Sequence, residues 1–394
     1  MAEFAVSRIL VYLNSKNRIA PLPEMVKDIY DNEKYSQSQL YDKAKERVSL
    51  WAESLSFILI LLMLLFHGFA WLDEWVRQYT TSPILMALLY LGVLFFINDI
   101  IHLPFSLYST FVIEEKFGFN RITPKLFISD KIKSYLLTII IGGGLLSLFV
   151  YLYTLMPNYF WLVAWGVMGA FSLFSLMFYT SLLLPLFNKL TPLENEEIRQ
   201  AIEEYSISVN FPLKNIYIMD GSKRSSKANA FFSGIGFKKS IVLFDTLVKD
   251  FSKEELVAVL AHEVGHYKRK HVQKLFSISF LQMGALLFIF NWAMKTPALC
   301  AALSAPPSFH ISLLAFGLLL SPLSTIGSIA GNYLSRKYEF EADNYSVTTY
   351  PGTAFTNSLR KLAKDNLTNL TPHPAYVFVH YSHPPIDQRL QHIS

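Results

Sequence analysis

Apolar residues gather in six long blocks, near 54–72, 84–107, 135–155, 159–186, 275–294 and 310–333, and charges collect between them. Each block is long enough to cross a bilayer core as a helix, which takes about 20 residues. They are apolar nearly all round, whereas a helix on the surface of a soluble protein keeps a polar face. The pattern therefore predicts a mostly α, polytopic membrane protein. A different pattern separates the fourth block from the fifth. Ile216-Tyr217-Ile218-Met219 and Ile241-Val242-Leu243-Phe244 read as short strands, with 228–232 as a third, and Gly221, Gly234 and Gly236 supply turns. A small antiparallel β-sheet is expected there. The chain then divides into an N-terminal segment with spans one to four (1–186), a core (187–274), spans five and six (275–333) and a C-terminal segment (334–394).

The core ends in a well-marked helix. Ser252 is a plausible N-cap with Glu255 three residues on, a capping box, and Phe251 and Leu256 stand where a hydrophobic staple has them. Leu256, Val259, Leu260 and Val264 continue an apolar stripe, and the cationic run from Tyr267 to His271 suits the C-terminus. Within this helix lies His262-Glu263-Val264-Gly265-His266, an H-E-x-x-H motif. Residues four apart share a helix face, so both imidazoles can address one metal ion, with Glu263 one residue round as a proton acceptor. Zinc with an open position lowers the pKa of a water it holds to roughly 7. This is the apparatus of a zinc peptidase.

A metal site also needs a third ligand. Glu339 is the preferred candidate, because Glu339 and Asp343 are four apart and share a helix face. That arrangement suits a carboxylate ligand beside an Asp that orients a ligand histidine through its other ring nitrogen. Glu341 falls on a different face and reads as solvated or structural. His271 competes as third ligand, but its spacing from His266 does not match H-E-x-x-H-x-x-G-x-x-H.

Charge sets the topology. If all six blocks cross, the face holding 73–83, 156–158 and 295–309 carries only Arg77 and Lys295 of the 35 basic residues. The positive-inside rule makes the other face, with the candidate metal site, cytoplasmic. The net charge of +5 is then a membrane signature and gives no support for nucleic-acid binding. Hydrophobic residues make up 52% of the chain and the mean hydropathy is +0.31, both high for a soluble enzyme. The single cysteine, Cys300, excludes an intrachain disulfide and a Cys-based zinc site. Asn98, Asp99 and His102, with His67, are polar residues inside spans. They read as a hydrogen-bonded patch in preference to a second metal site.

Several segments together resemble the CAAX prenyl protease 1 family of integral-membrane zinc endoproteases. They are 103–120, ending Glu114-Glu115-Lys116-Phe117-Gly118-Phe119-Asn120, and Pro185-Leu186-Phe187-Asn188-Lys189-Leu190-Thr191-Pro192-Leu193. Asn229-Ala230-Phe231, the strand at 241–244 and His383-Pro384-Pro385 followed by Arg389 complete the set. The resemblance implies transmembrane helices ringing a water-filled chamber, and one Zn²⁺ per chain held by His262, His266 and Glu339, with Asp343 behind Glu339. It implies Glu263 as the catalytic base and His383 as a stabiliser of the oxyanion. Asn229, Ala230 and Phe231 become a substrate-binding edge strand, and Arg389 positions the site or the substrate carboxylate.

It further implies a peptide or protein substrate, prenylated or not, cut near its C-terminus. The family has seven spans, and here the first is shortened, re-entrant or cut off by a late start. The compact chain has no endoplasmic-reticulum retrieval signal, so we expect a bacterial inner membrane protein, or an endoplasmic-reticulum one if eukaryotic. The rival readings are an HtpX-like quality-control metalloprotease and a transporter or channel with a structural zinc site.

Overall fold

The computed structural model describes residues 2–211, 215–234 and 240–394. Six helices have the length and composition of membrane spans: Asn32–Leu65, Pro83–Glu114, Pro124–Leu155, Phe160–Phe187, His271–Ala293 and Phe309–Thr349. All six contain the expected blocks, with one break. The first block stops at Leu65, where His67 takes a left-handed conformation (φ 53°) and a separate helix, Gly68–Arg77, begins. Large apolar side chains such as Leu85, Ile140, Leu162, Trp292 and Ile326 are exposed, which suits lipid and not water.

The second to sixth spans pack in sequence, and the sixth returns to the second, closing a ring. A ring of tightly packed helices would bury its inner faces. Only 0–17% of each apolar window is buried, so the ring is loosely packed over its membrane-spanning length. The N-terminal helix, Ala2–Asn17, lies antiparallel to the first span, with Phe4 stacked on Phe57 and Arg8 paired with Glu53.

The sixth span continues well past the membrane. At 1.5 Å per residue its 41 residues reach about 60 Å, twice the bilayer core. Its distal half is fastened to the C-terminal segment: Asn332 donates to the Val379 carbonyl (2.8 Å) and Arg336 to the Val377 carbonyl (3.0 Å). Farther on, the Ser346 hydroxyl donates to the Ala258 carbonyl of the H-E-x-x-H helix (3.0 Å).

The sheet has four strands: β1 (Leu190–Pro192), β2 (Ile216–Met219), β3 (Ala230–Ser233) and β4 (Ser240–Phe244), in the order β1-β2-β4-β3. It is mixed, not antiparallel throughout as expected, because β2 and β4 run parallel, with Ile216 opposite Ile241. The described residues 220–234, between β2 and β4, belong to the crossover that a parallel pair requires. That crossover includes β3, which turns back antiparallel on β4 and becomes an edge. Burial of β4 nearly throughout explains its unbroken apolar run.

The H-E-x-x-H helix, Lys253–Lys268, starts with the expected capping box. The Glu255 amide donates to Ser252 Oγ (3.2 Å) and the Ser252 amide to Glu255 Oε2 (2.9 Å). Ser252→Ala removes one of these bonds and will destabilise the domain by about 1 kcal/mol, read as a lower unfolding midpoint in detergent with zinc content unchanged. Leu256, Leu260 and Val264 anchor the helix in one core with Ile198, Ile202, Ile241 and Leu243. This fixes which way the motif faces.

Candidate metal centre

Gly265, inside the motif, lets two helices meet at backbone distance. A Cβ there would lie 3.1 Å from Ala342 Cα and 3.2 Å from its carbonyl oxygen. The close approach brings Glu339, on the sixth span's extension, up to the two histidines. His262 and Glu339 are buried, and donor atoms of His262, His266 and Glu339 lie within 4.8 Å of one another. Gly265→Ala must push the helices apart by a few tenths of an ångström, and we expect about tenfold weaker zinc binding, measured by chelator competition.

The spacing fits zinc. The two Nε2 atoms are 3.1 Å apart, His266 Nε2 is 3.3 Å from Glu339 Oε1, and His262 Nε2 is 3.5 Å from Glu339 Oε2. Donors about 2.0–2.1 Å from a tetrahedral ion stand roughly 3.3 Å apart. Glu339 Oε2 is buried and makes no hydrogen bond, as befits an atom reserved for a metal. Three donors leave the open position of a catalytic zinc site, whereas structural sites close with four.

Behind the ligands sits Asp343, which is fully buried. Its Oδ1 lies 2.9 Å from His262 Nδ1, and its Oδ2 accepts from Arg389 Nε (2.9 Å). Arg389 also reaches Glu339, with Nη1 3.6 Å from Oε2. Burial opposes a charge on His262, but the Asp343 and Glu339 carboxylates outweigh it and raise its pKa to about 9. Protons and metal therefore compete for this imidazole, and zinc binding releases a proton.

A cleft of about 670 Å³ opens onto the centre. Glu263, His383, Asn229, Ala230 and Arg389 line it beside His262 and Glu339. His383 is exposed, with Nε2 3.4 Å from Glu339 Oε1 and Nδ1 3.0 Å from the Ser382 hydroxyl. Ala230 starts the edge strand β3. The Phe244 amide donates to the Asn229 carbonyl (3.1 Å), so the main-chain groups of Ala230 turn away from β4 towards the open edge. Phe231, next along, is not among the cleft's lining residues and packs against Tyr179 and Phe244.

His271 is not a third ligand. It lies behind His266, with Nδ1 3.0 Å from His266 Nδ1 and Nε2 3.0 Å from Glu341 Oε2. Glu341 is thus joined to the centre and is not merely solvated. The polar residues within spans form ordinary contacts: His102 bonds Ser56 (2.8 Å), Asp99 bonds Lys131 (2.5 Å) and His67 bonds Ser304 (2.8 Å). Among the described residues His262, His266 and Glu339 are the one cluster able to hold a metal.

A ring of membrane helices that delivers a carboxylate to an H-E-x-x-H helix defines an integral-membrane zinc metallopeptidase. The comparisons with known proteins agree. Residues 12–189 match the family model described as the CAAX prenyl protease N-terminal, five membrane helices, and residues 192–394 match peptidase family M48. The chain belongs to the CAAX prenyl protease 1 family of M48 metallopeptidases. It is 32% identical to CAAX prenyl protease 1 of Saccharomyces cerevisiae, over 99% of this chain and 92% of that one. The Arabidopsis thaliana homolog is 33% identical, over 95% and 91%. The crystal structure of S. mikatae Ste24p superposes with a TM-score of 0.94 at 32% identity, covering 100% of this chain and 96% of that one.

Proposed function

We propose that the chain hydrolyses peptide bonds near the C-terminus of prenylated CAAX-type proteins, with the substrate laid along the edge of β3. The observation that carries this reading is that one cleft gathers the three metal donors, Glu263, His383 and an open strand edge. The names of the relatives supply the substrate class. Zinc, when bound, polarises the scissile carbonyl and acidifies water.

Glu263, half-buried on the cleft wall, accepts the proton of the attacking water and passes it to the leaving amine. A Ser382 hydroxyl donating to Nδ1 of His383 places the ring proton on Nε2, the nitrogen nearer Glu339, from which it donates to the oxyanion. Ala230 offers its main-chain carbonyl to the peptide as part of an added strand, its amide being held by Asn229. The Asn229 side chain accepts from the Ala230 amide (2.8 Å) and stiffens that edge. Phe231 supports the strand from its far face. Arg389, with its guanidinium committed to Asp343 and Glu339, positions the centre instead of holding substrate.

The match of residues 12–189 to the CAAX protease N-terminal model speaks against the quality-control reading. The open metal position speaks against a purely structural ion in a transporter. The relatives named above are eukaryotic, which favours the endoplasmic-reticulum membrane over a bacterial inner membrane, with the catalytic cleft on the cytoplasmic side.

The test is incubation of purified protein with a farnesylated CAAX peptide, read by mass spectrometry beside Glu263→Gln. Release of the terminal tripeptide by wild type alone is expected. Intact peptide in the presence of fully zinc-loaded wild type would refute the substrate assignment.

A further inference from the structure

The metal histidines are supported from behind by two arms, and only the Asp343 arm is expected from the sequence. The other starts at His266. Its Nε2 faces His262 and Glu339, so its remaining ring nitrogen, Nδ1, is the one that meets His271 Nδ1 at 3.0 Å. His271 Nε2 in turn meets Glu341 Oε2 at 3.0 Å. His271 is fully buried, and its ring stacks on Tyr338 at 4.2 Å with an interplanar angle of 7°.

The tautomers follow from the atoms. A His266 that offers the Nε2 lone pair to a metal carries its proton on Nδ1 and donates it to His271. His271 must then accept on Nδ1, carry its own proton on Nε2 and donate to Glu341, an acceptor. Every position in the chain has one consistent assignment.

The backbone is shaped to make this contact. His271 lies five positions after His266, which on one continuous helix would place them on different faces. The helix ends at Lys268, Lys270 takes a left-handed conformation (φ 57°), and a new helix starts at His271. That turn swings the imidazole back beneath His266. A positive φ is uncommon for lysine.

We propose that His271 and Glu341 form a positioning relay that fixes the tautomer and ring orientation of His266 and thereby sets zinc affinity. The inference rests on the metal-centre assignment but not on the CAAX substrate, so metal binding alone tests it.

Zinc dissociation constants by chelator competition, and the visible spectrum of the cobalt-substituted protein, should be measured for three variants. His271→Phe keeps the stack on Tyr338 and removes both nitrogens; it should bind zinc about 10–100-fold more weakly and alter the cobalt spectrum. His271→Asn restores an acceptor near the position of Nδ1 and should recover most of that loss. Glu341→Ala, a partly exposed change outside the core, should weaken zinc about tenfold and needs no core repacking, so it decides the matter if His271→Phe fails to fold. Wild-type affinity in both His271→Phe and Glu341→Ala would show that His271 only packs. Equal loss in Phe and Asn variants would refute the acceptor role.

Discussion

Glu263→Gln will keep one zinc per chain and lose about three to four orders of magnitude in turnover. Glu263 lines the cleft beside His262 but is not among the metal donors. The amide has nearly the same shape and leaves His262, His266, Glu339 and Asp343 untouched. It cannot accept a proton at neutral pH. General acid–base groups contribute about 10²–10⁴-fold, and here the same carboxylate would both take and deliver the proton, which places the expected loss at the upper end. Metal content by mass spectrometry and kcat on a fluorogenic peptide check the two halves separately. Turnover near wild type with zinc retained would remove Glu263 as the base.

The second large effect falls on the metal. Glu339→Gln will reduce zinc affinity by about two orders of magnitude and abolish activity at limiting zinc. Structural zinc sites bind with about 10–16 kcal/mol over four ligands, roughly 3 kcal/mol each, and that amount corresponds to about a hundredfold. The amide oxygen is a neutral, weaker donor. It also takes away the carboxylate that Arg389 Nη1 approaches at 3.6 Å, leaving Asp343 as the guanidinium's hydrogen-bond partner. Equilibrium dialysis against radioactive zinc measures the change. Unchanged affinity would mean that other side chains hold the ion.

Residues with local signals were legible in the sequence. The capping box of Ser252 and Glu255, the shared face of His262 and His266 and the six apolar blocks each depend on spacing within one element. Spacing also placed Asp343 near a ligand histidine, because four residues make one helix turn. What escaped depends on contacts between elements or on backbone conformation. A left-handed lysine has no sequence signature, so His271 read as a rival ligand and Glu341 as a solvated residue. The parallel pairing of β2 with β4 was hidden, since an apolar tetrapeptide states its burial but not its partner. β1 consists of three residues, one of them proline, and carries no pattern to detect. The resemblance groups Phe231 with Asn229 and Ala230, yet alternate residues of a strand face opposite ways. His383 stood out only through resemblance, because its partner Glu339 is remote in the chain.

The sixth span's extension behaves as a lever. Glu339 lies about 25 Å beyond Pro322, the proline within that helix. A membrane that tilts the span by 5° would swing a free lever tip by roughly 2 Å, when a metal centre tolerates about 0.5 Å. The fastenings at Asn332, Arg336 and Ser346 bracket Glu339 on both sides, so the tip is held to the C-terminal segment and the H-E-x-x-H helix, and bending is thrown back to Pro322, where a backbone hydrogen bond is missing. The chemistry is thereby mechanically insulated from the thickness of the bilayer that carries it.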